Sequence, residues 1–272
     1  MKVKLNDRSL WHNFESASSY ITGASAFILT FIEFNQEQKT VFLVCCLMML
    51  LFMFVTIWAR ANTKNVKKIK INNTNLIIKY GDIFKQNGIK VIAFNEFFDT
   101  IVDDRIISKN SLNGIYISEY SKGADVIDSV VMSESRLAQN ITENNVKRLN
   151  GGKTTKYKLG SICPVDDDYF LLAFTHFDKE DRAYISAEDY ISCLMHMWNE
   201  LDRYYAGRYI SIPLLGNGIT RFNKEMKAQD LLRYIIMTFE ISKVKFGNNS
   251  SLTIVLSERL KNEINLYNLG GN

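Results

Sequence analysis

A short glycine-containing segment, GNGITRF, has the residue types that a phosphate-binding loop needs, and it follows the apolar stretch 208–215. Gly216 and Gly218 lie two positions apart, so the backbone can turn tightly there and direct several N–H groups to one point. The same spacing is also typical of an ordinary turn. The segment therefore predicts an anion-binding loop only if other candidate residues converge on it.

Two further candidate positions follow earlier apolar segments of the chain. Gly81-Asp82-Ile83 comes after residues 75–80, and Asn95 comes directly after residues 90–94. In open α/β sheets, ligands bind at the carboxyl ends of the strands. Because all three positions follow predicted strands, the sequence favours one site at one edge of a sheet.

The elements that must position these residues alternate along residues 75–266. Apolar runs predict strands at 75–80, 90–94, 169–174, 208–215 and 251–256. Helices are predicted at 133–149, from the N-cap Ser186 onward, at 224–242 and at 258–266. This alternation predicts an α/β fold, with a largely parallel or mixed sheet and helices on both faces.

The first sixty residues have a different character, because two segments in them contain no charged residue. Residues 16–32 and 40–59 are 17 and 20 residues long, and a membrane-spanning helix needs about 20, within a range of about 17 to 25. We predict spans at about 16–33 and 40–59. The alternative for the second segment is a buried core helix. For the first it is a surface helix or a signal peptide, although its late start and its FIEF end argue against cleavage.

The predicted spans form a hairpin, since only EFNQEQK at residues 33–39 separates them. Basic residues are concentrated on the flanks, notably at Arg60, Lys64, Lys67, Lys68 and Lys70. The positive-inside rule then places both termini in the cytoplasm. The hairpin has no ionisable residue inside it, which argues against a transporter. We predict a hairpin segment at residues 1–61 and a ligand-sensing domain at residues 62–272.

Charge and composition exclude several other functions. The 33 basic and 29 acidic residues give a net charge of +4, and outside the segment after the second span no basic stripe occurs, so no nucleic-acid partner is predicted. The four cysteines and three histidines are scattered, so we predict no metal site and no catalytic triad. His176 and His196 are interpreted as partly buried structural residues.

Three short motifs resemble those of the macrodomain family: GDI at residues 81–83, VIAFN at 91–95 and PLLGNGITR at 213–221. The resemblance covers roughly residues 66–266. It implies that Asp82, with the Ile83 backbone beside it, binds an adenine amino group and that Asn95 holds the distal ribose of an ADP-ribose-type ligand. It also implies that the diphosphate lies against the backbone of Gly216, Asn217, Gly218, Ile219 and Thr220. These roles fit the chemistry, since a carboxylate suits an amine and clustered amides suit a phosphate.

The chain also departs from the family pattern. Ile92 replaces an asparagine, Thr220 replaces an aromatic residue, and residues 96–114 lack the glycine run that hydrolytic members use to bend the diphosphate. We therefore predict binding without catalysis and no cofactor. The alternatives are a membrane-tethered ADP-ribosyl hydrolase and a scaffold with an empty pocket.

A narrower resemblance is to the macro-type ThsA effectors of Thoeris antiphage systems, which join a two-span hairpin to a divergent macrodomain. It is carried by NEFFDT at residues 95–100, SLNG at 111–114 and PLLGNGITRF at 213–222. It implies a nucleotide signal from a TIR-domain partner, of the histidine-conjugated ADP-ribose type. It further implies a homo-oligomer that disrupts the bacterial inner membrane and causes abortive infection. Asp99, and less directly Asp103, would recognise the added amino acid; otherwise they are solvated loop carboxylates.

Overall fold

The computed structural model describes residues 3–218, 220–222, 226–247, 250–267 and 269. They belong to two compact units, one of residues 1–67 with 264–272 and one of residues 68–263. The helices are Arg8–Phe31 (α1), Gln36–Thr63 (α2), Leu112–Ile115 (α3), Ala124–Ser133 (α4), Ser135–Ala138 (α5), Ala187–Tyr204 (α6) and Ala228–Ser242 (α7). The strands are Val66–Ile71 (β1), Thr74–Tyr80 (β2), Ile89–Asn95 (β3), Ile141–Glu143 (β4), Lys156–Tyr157 (β5), Ile162–Pro164 (β6), Tyr169–Phe177 (β7), Ala183–Ile185 (β8), Ile210–Pro213 (β9), Arg221–Phe222 (β10) and Ser251–Leu256 (β11).

The first unit is a helical hairpin whose two helices begin at well-defined caps. The Asp7 carboxylate accepts a hydrogen bond from the Ser9 N–H at 3.0 Å at the start of α1. Asn35 and Gln38 form a reciprocal capping box at the start of α2. Phe14 and Phe54 pack edge to face across the hairpin, with ring centroids 5.3 Å apart. The short connection 32–35 therefore joins two antiparallel helices.

The helices extend beyond the uncharged segments, and only one of them meets a length and composition test for a membrane span. That helix is α2, with a mean hydropathy of 2.8 over its most apolar window, none of which is buried; among the described residues α1 does not qualify. Leu43, Met48 and Phe52 on α2 are all more than half exposed. The two-span hairpin and its membrane location stay predictions.

The second unit contains a nine-stranded sheet in the order β1-β2-β11-β9-β3-β7-β8-β10, with β6 also paired to β7. The five central strands, β2, β11, β9, β3 and β7, run parallel to one another. Their carboxyl ends consequently meet at one edge. β6 and β8 run antiparallel to β7, so the sheet is mixed, which confirms the predicted class.

Helices cover both faces of this sheet, because the side chains of β7 alternate between two layers. Phe174 packs on Tyr190 of α6 at 5.8 Å between ring centroids, and α6 in turn packs on α7. On the opposite face, Leu171 belongs to a core cluster with Ile127 and Val131 of α4. The predicted layer arrangement is confirmed.

The helix predicted at residues 133–149 is wrong over most of its length, because only Ser133 at the end of α4 and the four residues of α5 are helical there. The apolar spacing that forms a helix lies earlier, in α4, and residues 139–149 carry no apolar stripe that could pack against the sheet. Ile141 instead begins β4, which pairs with β5, and Asn145 has a positive φ of 59°. The segment beyond β4 is a loop, and two of its charged residues reach the candidate site.

Candidate functional site

The predicted site residues follow three parallel strands and lie at one edge of the sheet. Asp82 follows β2, Asn95 ends β3, and Gly216 follows β9. The segment between β9 and β10, described at residues 214–218 and 220, is called the β9 loop here, and these strands lie on opposite sides of β3, β7 and β8. The loop leaves β9 at its carboxyl end, so it must pass the carboxyl ends of β3 and β7. The topology thus places the glycine-containing loop at the same edge of the sheet as Asn95.

The β9 loop is shaped by one glycine and one aromatic ring. Gly216 has a φ of +85°, and a Cβ atom there would lie 2.8 Å from Cζ of Phe222, so only glycine fits without strain. Tyr190 donates its hydroxyl hydrogen bond to the Leu215 carbonyl at 3.1 Å and packs on Phe222. Asn217 and Gly218 are exposed and Thr220 is half-buried, whereas Ile219 lies outside the described residues.

Asp82 presents a carboxylate at the other end of this edge. Its side chain is exposed and caps a 3-10 turn, accepting a hydrogen bond from the Phe84 N–H at 2.9 Å through Oδ1. Within the described residues, Oδ2 has no partner. The Phe84 ring stacks on Tyr120 with centroids 4.2 Å apart and planes 4° apart, while the Ile83 side chain is buried in the core. A free carboxylate oxygen beside an aromatic stack suits a heteroaromatic amine.

The Asn95 side chain is used within its own loop. It is 2% exposed, and its carbonyl oxygen accepts hydrogen bonds from the N–H groups of Phe97 and Asp99 at 3.0 and 3.3 Å. Its amide donates to Asp99 Oδ2 at 3.0 Å. Asn95 therefore fixes the turn that follows β3.

Asp99 lies at the centre of a buried ionic cluster that the sequence did not reveal. The Arg148 guanidinium donates to Asp99 Oδ2 at 2.6 Å and to Asp181 Oδ1 at 2.6 Å, and all three side chains are at most 5% exposed. The Lys153 N–H donates to the other Asp99 oxygen at 2.8 Å. Burial alone would lower the pKa of Arg148, but its bonds and charge interactions with Asp181 and Asp99 outweigh burial and raise that pKa.

This cluster, which we call the Arg148 clamp, holds three loops together. It consists of Asp99, Arg148, Asp181, the Phe97 ring under the guanidinium at 4.3 Å, and Asn150, whose amide donates to Asp181. The clamp fixes the β3 loop, residues 96–111, to the loops at 144–155 and 178–182. No sequence motif predicts the clamp residues, because they are far apart in the chain and each one, taken alone, resembles a solvent-exposed loop residue.

A second pair missed by sequence reasoning joins the ends of β3 and β7. Glu96 is 3% exposed, and its Oε2 lies 2.7 Å from Nδ1 of His176. The hydrogen bond to Glu96 raises the pKa of His176; burial opposes this, and the charges of Glu96 and Asp189 add to it. The sequence indicates this pair only through position, because Glu96 and His176 both lie at the carboxyl ends of neighbouring strands.

The remaining candidates serve local structure. The Asp103 carboxylate is exposed and accepts hydrogen bonds from the N–H groups of Ile106 and Arg105, which lower the pKa of its carboxyl group. His196 has a ring nitrogen 3.0 Å from the Leu159 carbonyl oxygen. Cys163 and Cys193 are buried thiols. In the described part of the chain, no cluster of three or more histidine, cysteine, aspartate or glutamate residues could hold a metal ion.

Comparison with known proteins gives matches along most of the chain. Residues 76–257 match the family model "Thoeris protein ThsA, Macro domain". The Thoeris protein ThsA of Bacillus amyloliquefaciens (strain Y2) is 39% identical over 253 residues, which cover 91% of this chain and 84% of that protein.

Among solved structures, the Oceanobacillus iheyensis macrodomain with MES bound is similar with a TM-score of 0.44 at 14% identity, covering 74% of this chain and 93% of that chain. The same macrodomain with ADP has a TM-score of 0.43 at 14% identity, covering 74% and 92%. The family assignment follows from the sequence matches. The chain belongs to the ThsA family of Thoeris antiphage defence, and residues 76–257 form its macrodomain.

Proposed function

We propose that this chain is a membrane-anchored receptor whose macrodomain binds an ADP-ribose-type nucleotide signal made by a partner TIR-domain enzyme. The observation that carries this proposal is the convergence of Asp82, Asn95 and the β9 loop on the carboxyl edge of five parallel strands. An extended ligand with an amine at one end and a diphosphate in the middle matches this order of groups.

The β9 loop supplies the diphosphate part of the proposed site. Its exposed backbone at Asn217 and Gly218 offers N–H groups at the sheet edge, and Gly216 allows the turn that directs them. Within the described residues the loop makes few internal hydrogen bonds, one of them from the Asn217 N–H to the Leu214 carbonyl at 3.4 Å. Such a long bond is readily exchanged for a phosphate oxygen.

The adenine part of the proposed site is the carboxylate of Asp82 with the aromatic pair beside it. Oδ1 accepts a hydrogen bond from the Phe84 N–H, and within the described residues Oδ2 remains available to accept from an exocyclic amine. Tyr120 is 41% exposed, so the Phe84–Tyr120 stack is partly accessible to a planar base.

At the far end of the site, Asn95 and Asp99 act by shaping the β3 loop. The Asp99 side chain is fully buried, and both its oxygens already accept hydrogen bonds, from Asn95, Arg148 and the Lys153 N–H. Recognition of an added amino acid by Asp99 would need the Arg148 clamp to open. We therefore assign Asp99 a positioning role for the ribose end of the ligand.

Binding without turnover fits the β3 loop better than hydrolysis does. The positions directly after Asn95 and Glu96 carry the buried rings of Phe97 and Phe98, each at most 2% exposed. Phe97 packs under the Arg148 guanidinium and Phe98 packs in the core, so this loop is fixed by large side chains where the hydrolytic pattern has glycines. The alternative, a membrane-tethered ADP-ribosyl hydrolase, predicts release of ADP-ribose from a conjugate.

The exposed apolar surface of α2 supports the proposed membrane anchor. Large apolar side chains such as Leu47, Met48 and Phe52 are more than half exposed, and a soluble surface rarely keeps such a continuous patch. In this proposal, the hairpin lies in the bacterial inner membrane with both termini in the cytoplasm. Ligand that binds an associated form more tightly shifts the chain towards a homo-oligomer, which disturbs the bilayer and leads to abortive infection.

Calorimetry on the full chain in lipid nanodiscs tests the nucleotide site. Titration with ADP-ribose and with histidine-conjugated ADP-ribose is expected to give saturable binding. Asp82→Asn keeps the cap on Phe84 but removes the charge, so we expect about tenfold weaker binding, equivalent to about 1.4 kcal/mol. The matched control is Asp202→Asn, an exposed carboxylate on α6.

Absence of heat at micromolar ligand, with the folded state verified by circular dichroism, would overturn the receptor function. Chromatography of the same mixtures decides between receptor and hydrolase, because only a hydrolase releases free ADP-ribose from the conjugate. Light scattering before and after ligand addition measures the expected increase in oligomer size. An unchanged mass with saturated ligand would exclude ligand-driven association.

A further inference from the structure

A second concave site lies at the opposite edge of the sheet from the nucleotide site. This cavity, which we call the β1 groove, has a volume of about 760 Å³ and is lined by Lys68, Ile69, Lys70, Asn75, Ile77, Tyr209, Ser250 and Ser251. Asn75 and Ser251 are paired residues near the amino ends of the parallel strands β2 and β11. The groove therefore opens far from the β9 loop, which follows a strand's carboxyl end.

The charge in the β1 groove is uncompensated. Lys68 and Lys70 are exposed and stand at alternate positions of β1, so their side chains leave the strand on the same face. Neither has a carboxylate partner within the described residues, and no acidic residue lines the groove there. Some lysines of this unit do have carboxylate partners, as Lys90 has Asp168 at 3.3 Å and Lys261 has Glu258 at 2.5 Å.

Neutral hydrogen-bond donors complete the lining of the β1 groove. The Asn75 amide and the Ser251 hydroxyl make no side-chain hydrogen bond to the described residues, and Tyr209 is 52% exposed. Two ammonium groups with free amide and hydroxyl donors form a set that suits a multiply charged oxyanion. The volume exceeds that of a bare anion and lies in the range of small-molecule sites, about 300 to 1,000 Å³.

We propose that the β1 groove binds a phosphate group carried on a small polar moiety, with Lys68 and Lys70 as its charge partners. Two sources could present this chemistry, an anionic lipid headgroup or a soluble phosphate. β1 begins at Val66, shortly after α2 ends at Thr63, so a membrane-embedded α2 would keep this strand within reach of lipid headgroups. The lipid source rests on the proposed membrane anchoring, whereas the anion site itself does not.

Lysine acetylation followed by mass spectrometry tests this site on the full chain. In one arm the chain is held in nanodiscs of phosphatidylcholine alone or mixed with phosphatidylglycerol. In the other arm, phosphatidylcholine nanodiscs receive glycerol phosphate or inorganic phosphate at millimolar concentration, against sodium chloride of equal ionic strength. We expect acetylation of Lys68 and Lys70 to slow by about tenfold at high occupancy. Lys122 and Lys158, which are exposed and have no ion pair among the described residues, are the internal references.

Asn75→Ala distinguishes a built site from general attraction, because it leaves every charge in place. We expect about fivefold weaker protection of Lys68 and Lys70 in this variant, and none of that loss in the control Asn199→Ala on α6. Calorimetry of Lys68→Gln/Lys70→Gln with ADP-ribose is expected to match the unchanged chain. This calorimetry tests nucleotide binding independently of anion binding, so a negative result for the β1 groove can be distinguished from a negative result for the nucleotide site.

Each outcome decides the question. Protection by both sources establishes a general phosphate site, and protection by phosphatidylglycerol alone makes the headgroup the ligand. Protection by soluble phosphate alone keeps the anion site and excludes the lipid source. If neither source slows acetylation, or if Asn75→Ala changes nothing, the proposal is overturned, and the lysines serve only to prevent edge pairing of β1.

Discussion

The β3 loop and the β9 loop border the same edge of the sheet, yet they are held in opposite ways. The β3 loop is fixed through Asp99 by the Arg148 clamp, in which one buried guanidinium joins two buried carboxylates. Within the described residues, the β9 loop is held mainly by Gly216 against Phe222 and by the Tyr190 hydroxyl on the Leu215 carbonyl. One border of the site is rigid and the other is free to adapt.

This difference follows from what each loop contributes to binding. A loop that binds phosphate through backbone N–H groups must leave those groups free, so it cannot hold itself by many internal hydrogen bonds. The opposite border can then be rigid, and buried charges make it so, because removing any one partner leaves an uncompensated charge. Mutations on the two borders should accordingly separate stability from affinity.

Replacement of Arg148, the arginine of the clamp, should cause the largest loss of folding stability. Arg148→Met leaves Asp99 and Asp181 buried without a counter-charge, so we expect the free energy of unfolding to fall by about 3 to 5 kcal/mol. Urea unfolding, followed by the fluorescence of buried Trp198 after Trp11 and Trp58 are replaced by Phe, measures this loss.

The matched control for the clamp is Arg182→Met. Arg182 also pairs with two carboxylates, Asp178 and Glu180, but its side chain is half exposed. Solvent screens such pairs, so the change should be much smaller. Equal losses in the two variants would mean that burial of the clamp contributes nothing, and the contrast between the loops would fail.

Substitution of Gly152, which lies beside the Arg148 clamp, should cause the second largest loss of folding stability. Gly152 has a φ of +94°, and a Cβ atom there would lie 2.5 Å from Arg148 Nη1 and 2.8 Å from Asp99 Oδ1. Gly152→Ala should therefore cost about 2 kcal/mol, from backbone strain and displacement of the clamp. The same urea unfolding measures the cost.

Gly151 separates these two contributions. Its φ is +81°, but a Cβ atom there would meet nothing within 4 Å, so Gly151→Ala carries the backbone strain alone, about 1 kcal/mol. If both alanine variants lose the same stability, the close packing of Gly152 against the clamp has no energetic consequence.

The two borders also differ in what their sequences reveal. Strands, the Ser186 cap and the glycines of the β9 loop are local features, so the parallel sheet and one border of the site could be predicted from the sequence. The Arg148 clamp could not, because Asp99, Arg148 and Asp181 meet only after the fold forms. The wrong helix at residues 133–149 has the same origin. Beyond α5 that polar segment has no local pattern, and Arg148 near its end is held by Asp99 and Asp181, which are distant in sequence.

On the adaptable border, Gly216→Ala should reduce affinity more than stability. The Cβ atom would press on Phe222 and force the backbone out of its positive φ, which turns the N–H groups away from the ligand. We expect ADP-ribose to bind about tenfold more weakly, with calorimetry as the measurement. Gly218→Ala, where a Cβ atom would meet nothing within 4 Å, should change binding by less than about twofold. Equal effects would contradict the role of Gly216 in directing the loop.

The smallest change in stability is expected at His176, whose bond to Glu96 joins the ends of β3 and β7. Its bond to Glu96 raises the pKa of the imidazole, with help from Asp189 and against burial and Lys156, so folding favours the protonated ring. The stabilisation is then fully present below the ordinary histidine pKa of about 6.5 and is lost as pH rises through the higher pKa of the folded state. Unfolding free energy should fall over that interval, and His176→Gln should remove this slope. A slope that persists in the variant would show that another group titrates, and the edge between the two loops would then owe nothing to the Glu96–His176 pair.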